Sequence, residues 1–308
     1  LVPLARLFRC KVVCYSVGLG PFPTAISRRF ARWTINLCDL VMVRDRDSER
    51  LAREIGVQRP IHLTGDAAFI NPVSSDERAR HILGKLGIDP HARLLGINVT
   101  AYMDRWLGSG EKLSRDVDFV SMVAEGVRRA QATVSERFTP LVICTQPMDE
   151  ETCQRLAAAT GARVLSNARY LSHDIQAVMR RCQLMLGMRF HSLVLASSVE
   201  TPVMALNYAP KVRNYMRMLE SEEFGMELAQ VTPDLLAARI AEAWRRREEL
   251  RQRQLPIVKQ QKEGAHQAAD LLVQRYFNGS KVRVPRAAEA PAWLEEDDPL
   301  ASSGVWRN

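Results

Sequence analysis

No apolar run in this 308-residue sequence approaches the roughly 20 residues that span a bilayer as a helix. A helical membrane crossing is therefore not expected. The opening Leu1–Gly20 stretch has no signal-peptide layout, because Arg6, Arg9 and Lys11 interrupt it. Aromatics make up only 6% of the residues. Modules that stack nucleic-acid bases depend on aromatics, so no nucleic-acid partner is expected. The six cysteines (Cys10, Cys14, Cys38, Cys144, Cys153, Cys182) contain no C-x-x-C pair and no Cys/His set with zinc spacing. They read as reduced thiols of a cytoplasmic protein. His62, His81, His91, His173 and His266 are dispersed, and no metal or cofactor is expected. There is no G-x-S-x-G elbow, P-loop lysine or complete dinucleotide fingerprint.

Basic charge is present in excess. Lys and Arg total 43 against 35 Asp and Glu, a net charge of +8, which favours anionic partners. Part of that excess, at Arg245, Arg246, Arg247, Arg251 and Arg253, reads as a solvated helix face.

Apolar strands alternate with amphipathic helices almost throughout. Strands are expected at residues 12–17, 40–43, 61–64, 94–99, 141–144, 163–165, 184–187 and 203–207. Helices are expected at 24–38, 47–55, 76–86, 115–132, 149–160, 172–182, 190–198, 211–219, 232–252 and 257–276. Asp149 and Ser172 fit helix caps, and Thr232-Pro233 fits a capped start with proline at the first position. Short strands with helical crossovers imply parallel sheets covered on both faces. The fold class is α/β, with two Rossmann-like lobes. A boundary falls near Gly87-Ile88-Asp89-Pro90. This gives a first lobe over 1–88, a second over 89–255, a helix over 256–278 that returns to the first lobe, and a disordered tail over 279–308. The first lobe shows three strands where such lobes usually have five or more, and the chain starts without methionine. It reads as truncated at its N-terminus.

Open α/β sheets bind ligands beyond the carboxyl ends of their strands. Arg44 and Asp45, Asp66, Asn98 and Thr100, Gln146, Arg189 and His191, and Tyr208, Lys211 and Arg213 all follow expected strands. Two lobes facing each other would gather many of these into one cleft. The most informative junction is Leu184–Ala196, where a strand runs straight into a helix. A helix N-terminus attracts anions. Arg189 adds a planar cation suited to carboxylate or phosphate, and His191 adds a group that gives and takes protons near neutral pH. Each of these residues also has a plainer reading. His191, beside Phe190 and Leu193, equally fits a core histidine. Arg189 fits a salt bridge, Arg44 fits surface charge between Asp45 and Arg46, and Lys211 with Arg213 fits a surface pair in a first turn.

Taken in order, these residues resemble the polysaccharide pyruvyl transferase family. Gly187-Met188-Arg189-Phe190-His191 is similar to its G-M-R-L-H motif. Thr201-Pro202-Val203 and Tyr208-Ala209-Pro210-Lys211-Val212 follow as its G-x-P and Y-x-P-K-V pieces do. Val43-Arg44-Asp45-Arg46-Asp47-Ser48, Thr64-Gly65-Asp66-Ala67-Ala68-Phe69 and the Gly18-Leu19-Gly20-Pro21 turn agree as well. The resemblance implies a GT-B-like fold and transfer of a pyruvyl group from phosphoenolpyruvate to a sugar of a glycan or lipid-linked glycan, forming a ketal. It implies that Arg189 and His191 serve the donor; Arg44, Asn98, Tyr208, Lys211 and Arg213, at the ends of expected strands, are the candidate substrate-binding residues. Peripheral membrane contact accompanies a lipid-linked acceptor. Phe190 departs from the family leucine. Some members carry an arginine where this chain has Asn98-Val99-Thr100; either that donor arginine is missing here, or Arg105 or Arg44 replaces it. A glycosyltransferase using a nucleotide sugar, or a glycan-binding relative without activity, fits the same architecture.

Overall fold

The computed structural model describes residues 1–101 and 118–277. They form two compact units, Leu1–Asn71 with residues 258–277, and Pro72–Ile257.

The first unit contains α1 (Val2–Leu7), β1 (Val13–Val17), α2 (Ala25–Asn36), β2 (Leu40–Val43), α3 (Arg46–Glu54) and β3 (Ile61–Leu63). The strands form a parallel sheet in the order β1-β2-β3. Side chains alternate across a strand, so fully buried β2 feeds two cores. Val41 and Val43 pack with Ala31 and Ile35 of α2, and with Ile55 just after α3. Leu40 and Met42 face Ala268 and Leu271 of the last helix. That helix lies very close to the turn after β3. A Cβ on Gly65 would sit 2.0 Å from the Gln261 carbonyl oxygen, and one on Gly264 would sit 2.7 Å from the Gly65 nitrogen. Only glycine allows backbones to approach this closely. Local caps fix the helix starts: the Ser27 amide donates to Thr24 Oγ1 at 3.0 Å, and the Ser48 amide to Asp45 Oδ1 at 2.7 Å.

The second unit contains α4 (Asp76–Lys85), β4 (Leu94–Ile97), α5 (Phe119–Thr133), β5 (Thr139–Cys144), α6 (Glu150–Thr160), β6 (Arg163–Ser166), α7 (Ser172–Met179), β7 (Cys182–Gly187), α8 (Phe190–Ser198), β8 (Val203–Asn207), α9 (Pro210–Met218), β9 (Gly225–Glu227) and α10 (Pro233–Arg245). A final helix, α11 (Arg247–Tyr276), starts here and continues into the first unit from Val258. All pairings in this sheet are parallel, in the order β6-β5-β4-β7-β8-β9. Every residue of β4 and β8 is buried. That explains why these strands read as unbroken apolar runs rather than alternating ones. Chain order reverses between β4 and β7, the topological switch point where such sheets bind ligands.

The structure departs from the expected pattern in several places, and α1 (Val2–Leu7) has no counterpart in that pattern. β9 was not anticipated. It has three residues between 3₁₀ turns at Glu222–Phe224 and Leu228–Gln230, too short to show a period. Ser172 opens α7, and Leu171 is its cap position. The last two helices separate at Arg246, and α11 runs through Pro256. Two residues before the proline, buried Gln254 accepts from the Val203 amide (3.0 Å) and donates to the Val203 carbonyl (3.1 Å) and Ser221 Oγ (3.1 Å). These tertiary bonds offset the helix bond that proline removes. The units divide at Asn71/Pro72, ahead of the Gly87–Pro90 boundary. The residues between belong with the second unit because Ser74 (2.7 Å) and Arg78 (3.1 and 3.3 Å) bind the buried carboxylate of Asp174 in α7. The 279–308 tail lies outside the described residues, as do Arg105 and the first residues of the helix expected from 115.

Candidate functional site

The site is built where β4, β5, β7 and β8 end. The turn from β7 into α8 is tight: a Cβ on Gly187 would lie 2.3 Å from Leu193 Cδ2. Any larger residue there would have to displace the Leu193 side chain. Arg189 occupies the cap position of α8, and no side chain caps that helix. Its amide donates to Asn98 Oδ1 at 2.9 Å, while Asn98 Nδ2 donates to the Ile143 carbonyl at 2.9 Å. Asn98 is completely buried. Its side chain thus ties the end of β4 to β5 and to the β7–α8 turn.

The guanidinium of Arg189 meets the carboxylate of Asp149 through two donors, Nε to Oδ2 and Nη2 to Oδ1, the latter at 2.8 Å. Asp149 is fully buried and also accepts from Thr100 Oγ1 (3.1 Å) and the Ala101 amide (3.0 Å). It makes no side-chain cap bond at the start of α6, contrary to the expectation for it. A polar residue just after β5 was a visible signal, but Asp149-Glu150-Glu151 before a helix read more simply as a cap. The Arg189 side chain retains 21% of its exposure. Burial pulls its pKa down, but the hydrogen bond and charge of Asp149 outweigh that and raise it above the ordinary arginine value. Asp149 occupies one edge of the fork. A guanidinium has five N–H donors, so the Nη1/Nη2 edge can still meet a second planar anion.

Tyr208, at the end of β8, is 4% exposed. Burial raises its phenol pKa, Arg189 lowers it and Asp149 raises it, so the three side chains share one electrostatic cluster. Lys211 Nζ stands 5.7 Å from the centre of the Tyr208 ring, within cation–π range. It lies in the first turn of α9, which has no side-chain cap and has proline at its start. His191 is exposed in the first turn of α8. Its ring stands edge-on to Phe190 at 5.1 Å, and Phe190 stands edge-on to buried Tyr215 at 5.3 Å. The aromatic stack anchors the backbone while the imidazole faces outward.

Two candidates sit elsewhere. Arg213 is held by Glu227 of β9, with Nε to Oε1 at 2.7 Å, and Asn207 Nδ2 donates to the same oxygen at 3.0 Å. Arg44 lies in the first unit, where Nη1 donates to Asp66 Oδ2 at 2.8 Å and Nε reaches Asp45 at 3.4 Å. Asp66 also accepts from the Ala68 amide. Thus Arg189, Tyr208 and Lys211 gather just beyond the ends of the adjacent strands β7 and β8, His191 follows Arg189 in the first turn of α8, Asn98 underpins the turn, and Asp149 and Thr100 complete the arrangement. Among the described residues, no group of three His, Cys, Asp or Glu is placed to hold a metal ion, and no helix is long and apolar enough to cross a membrane.

Two parallel α/β units, with a polar cluster at the topological switch point of the second sheet, define a Rossmann-like, GT-B-like fold class. Solved structures share this fold. One is a Listeria monocytogenes protein assigned as a UDP-N-acetylglucosamine 2-epimerase, with 12% identity and a TM-score of 0.60, covering 90% of this chain and 70% of that one. The UDP-GlcNAc 2-epimerase of Neisseria meningitidis, solved with UDP-GlcNAc, gives 13% identity and a TM-score of 0.55, covering 90% and 72%. The wall teichoic acid polymerase TagF gives 10% and 0.50, covering 86% of this chain and 64% of that one. No curated protein sequence matches. The family model for polysaccharide pyruvyl transferase matches residues 1–210, and the chain belongs to that family of transferases.

Proposed function

We propose that the second unit transfers a pyruvyl group from phosphoenolpyruvate to two hydroxyls of a sugar in a polysaccharide or its precursor, giving a pyruvate ketal. The observation that carries this reading is the Arg189–His191 turn beside Tyr208 and Lys211 at the switch point, in a chain of this family. Phosphoenolpyruvate presents a carboxylate and a phosphate. The open edge of Arg189 suits the planar carboxylate. Lys211 and the N-termini of α8 and α9, each worth about half a positive charge, suit the phosphate. Asp149 neutralises much of the Arg189 charge, so Arg189 orients the donor, while Lys211 and the helix ends attract it.

The chemistry needs one proton delivered to carbon. His191, protonated, gives a proton to the methylene carbon, producing an oxocarbenium-like centre that still bears phosphate. A sugar hydroxyl adds to that centre and gives its proton back to His191. The C–O bond to phosphate breaks, phosphate leaves, and the second hydroxyl closes the ketal, its proton passing to the released phosphate. The sum is phosphoenolpyruvate plus diol giving ketal plus phosphate. A positioned acid/base of this kind typically contributes about 10²–10⁴ in rate. Asn98 fixes the Arg189 backbone and does not meet the donor. Arg213, committed to Glu227, shapes the rim at β9.

A second reading, transfer from a nucleotide sugar, is favoured by the fold shared with the UDP-GlcNAc 2-epimerase and by the charge that Asp149 cancels at Arg189. Thermal-shift titration separates the two. Phosphoenolpyruvate should raise the melting temperature and UDP-sugars should not; stabilisation by UDP-sugars alone would overturn the pyruvyl reading.

A further inference from the structure

The first 38 residues contain six basic side chains and no Asp or Glu; Asp39, next in the chain, pairs with Arg6 (2.7 Å) and Lys11 (3.8 Å) and leaves Arg9, Arg28, Arg29 and Arg32. The same stretch carries seven of the twelve large apolar side chains that are exposed among the described residues. On α2 these form one stripe at i, i+4 and i+7: Ile26 (80% exposed), Phe30 (61%) and Trp33 (49%). The rings of Phe30 and Trp33 lie 5.6 Å apart. The opposite side of the helix, with Ala31 and Ile35, is buried in the core of the first unit. α2 is therefore apolar on its core side and apolar again on its outer side. Arg29 flanks the stripe, while Arg28 and Arg32 lie further round towards the core side; all three are exposed and have no carboxylate partner among the described residues, and Arg28 donates to the Phe22 carbonyl. α1 packs on the same core through Val2 and exposes Leu4, Leu7 and Phe8 beside Arg9 and Lys11.

We infer that the outer face of α1 and α2 docks on a lipid surface bearing anionic headgroups. Aromatic and aliphatic side chains in this arrangement insert at the headgroup boundary, while flanking arginines contact phosphates. Charge decides between occupants. A second copy meeting this face through its own would bring Arg9, Arg28, Arg29 and Arg32 of both copies together, with Asp39 already paired to Arg6 and Lys11, which is unfavourable. An anionic bilayer supplies the missing charge and an apolar layer together. The inference stands apart from the pyruvyl reading, because it rests on the first unit and on no residue of the candidate site. It would place the enzyme at a membrane surface, where lipid-linked acceptors are found.

The test is co-sedimentation of the full chain with vesicles of phosphatidylcholine alone and of phosphatidylcholine mixed with phosphatidylglycerol. The protein should pellet with the mixed vesicles, less so as salt rises, and remain in solution with the neutral ones. The paired variants Phe30→Ser/Trp33→Ser and Arg29→Glu/Arg32→Glu should each weaken binding by about tenfold or more. Both pairs lie on exposed positions, so each variant should melt with the parent. Equal pelleting on both lipids, or unchanged binding by a folded variant pair, would overturn the inference. So would absence of vesicle binding together with a concentration-dependent dimer that Phe30→Ser/Trp33→Ser breaks.

Discussion

Arg189→Ala leaves Asp149, which has no exposed surface, without its cation. The Thr100 hydroxyl and the Ala101 amide remain as donors, but a buried carboxylate deprived of its counter-charge typically costs about 3–5 kcal/mol. The second unit is of a size for which 1 kcal/mol shifts the melting temperature by roughly 2–4 °C. The variant should therefore melt roughly 6–20 °C below the parent. Asp149→Ala should also destabilise, since it strands Arg189 and the Ala101 amide. The double variant Arg189→Gln/Asp149→Asn puts a neutral hydrogen-bonded pair in the same place. Because buried ion pairs and neutral replacements are often close in energy, it should be more stable than the sum of its single changes by about 1–3 kcal/mol. Calorimetric melts of the parent, Arg189→Gln, Asp149→Asn and the double variant supply the cycle. If Arg189→Ala melted with the parent, or the single changes simply added, the two side chains would not be an interdependent pair, and the account of the site would lose its anchor.

Gly187→Ala drives a methyl into Leu193 and should cost about 1–3 kcal/mol of stability, read by chemical denaturation; an unchanged midpoint would mean the β7–α8 turn is looser than described. His191→Ala removes an exposed side chain, so the protein should melt near the parent temperature and yet lose pyruvyl transfer, measured as phosphate release; retained turnover would remove His191 from its role. Burial holds the His173 pKa below its ordinary 6.5, with Asp174 opposing and Arg78 assisting. The unfolded chain then takes up a proton at higher pH than the folded one, so stability should fall as pH drops through about 6.5. His173→Gln should flatten that part of the melting-temperature profile, and an unaltered slope would contradict it. Iodoacetamide should label exposed Cys10 first. Cys182, whose thiol burial pushes up to about 12, should react last; the reverse order would refute the burial pattern.

The parallel sheets were legible because β2, β4 and β8 are buried along their whole length, and such strands must be apolar throughout. The Gly187–His191 turn was legible for a similar reason: two polar side chains interrupt an apolar stretch where a strand meets a helix. Three-residue β9 carries no period to detect. Pro256 misled because its cost is met by Gln254, a partner distant in sequence from Val203 and Ser221. Asp149 was hidden for the same kind of reason. Its role depends on Arg189, 40 residues away, brought beside it only by the order β5-β4-β7, whereas its local sequence fits a helix cap. Asn98 was identified as important, but its burial, which turns it toward the Arg189 backbone, is a tertiary fact.

Incubation of the purified chain with phosphoenolpyruvate and a panel of glycans, followed by phosphate assay and mass spectrometry, tests the central claim most directly. The account predicts phosphate release matched by glycan that has gained one pyruvate ketal, with both lost in His191→Ala. Absence of any ketal product from a folded protein that instead consumes a nucleotide sugar would contradict it.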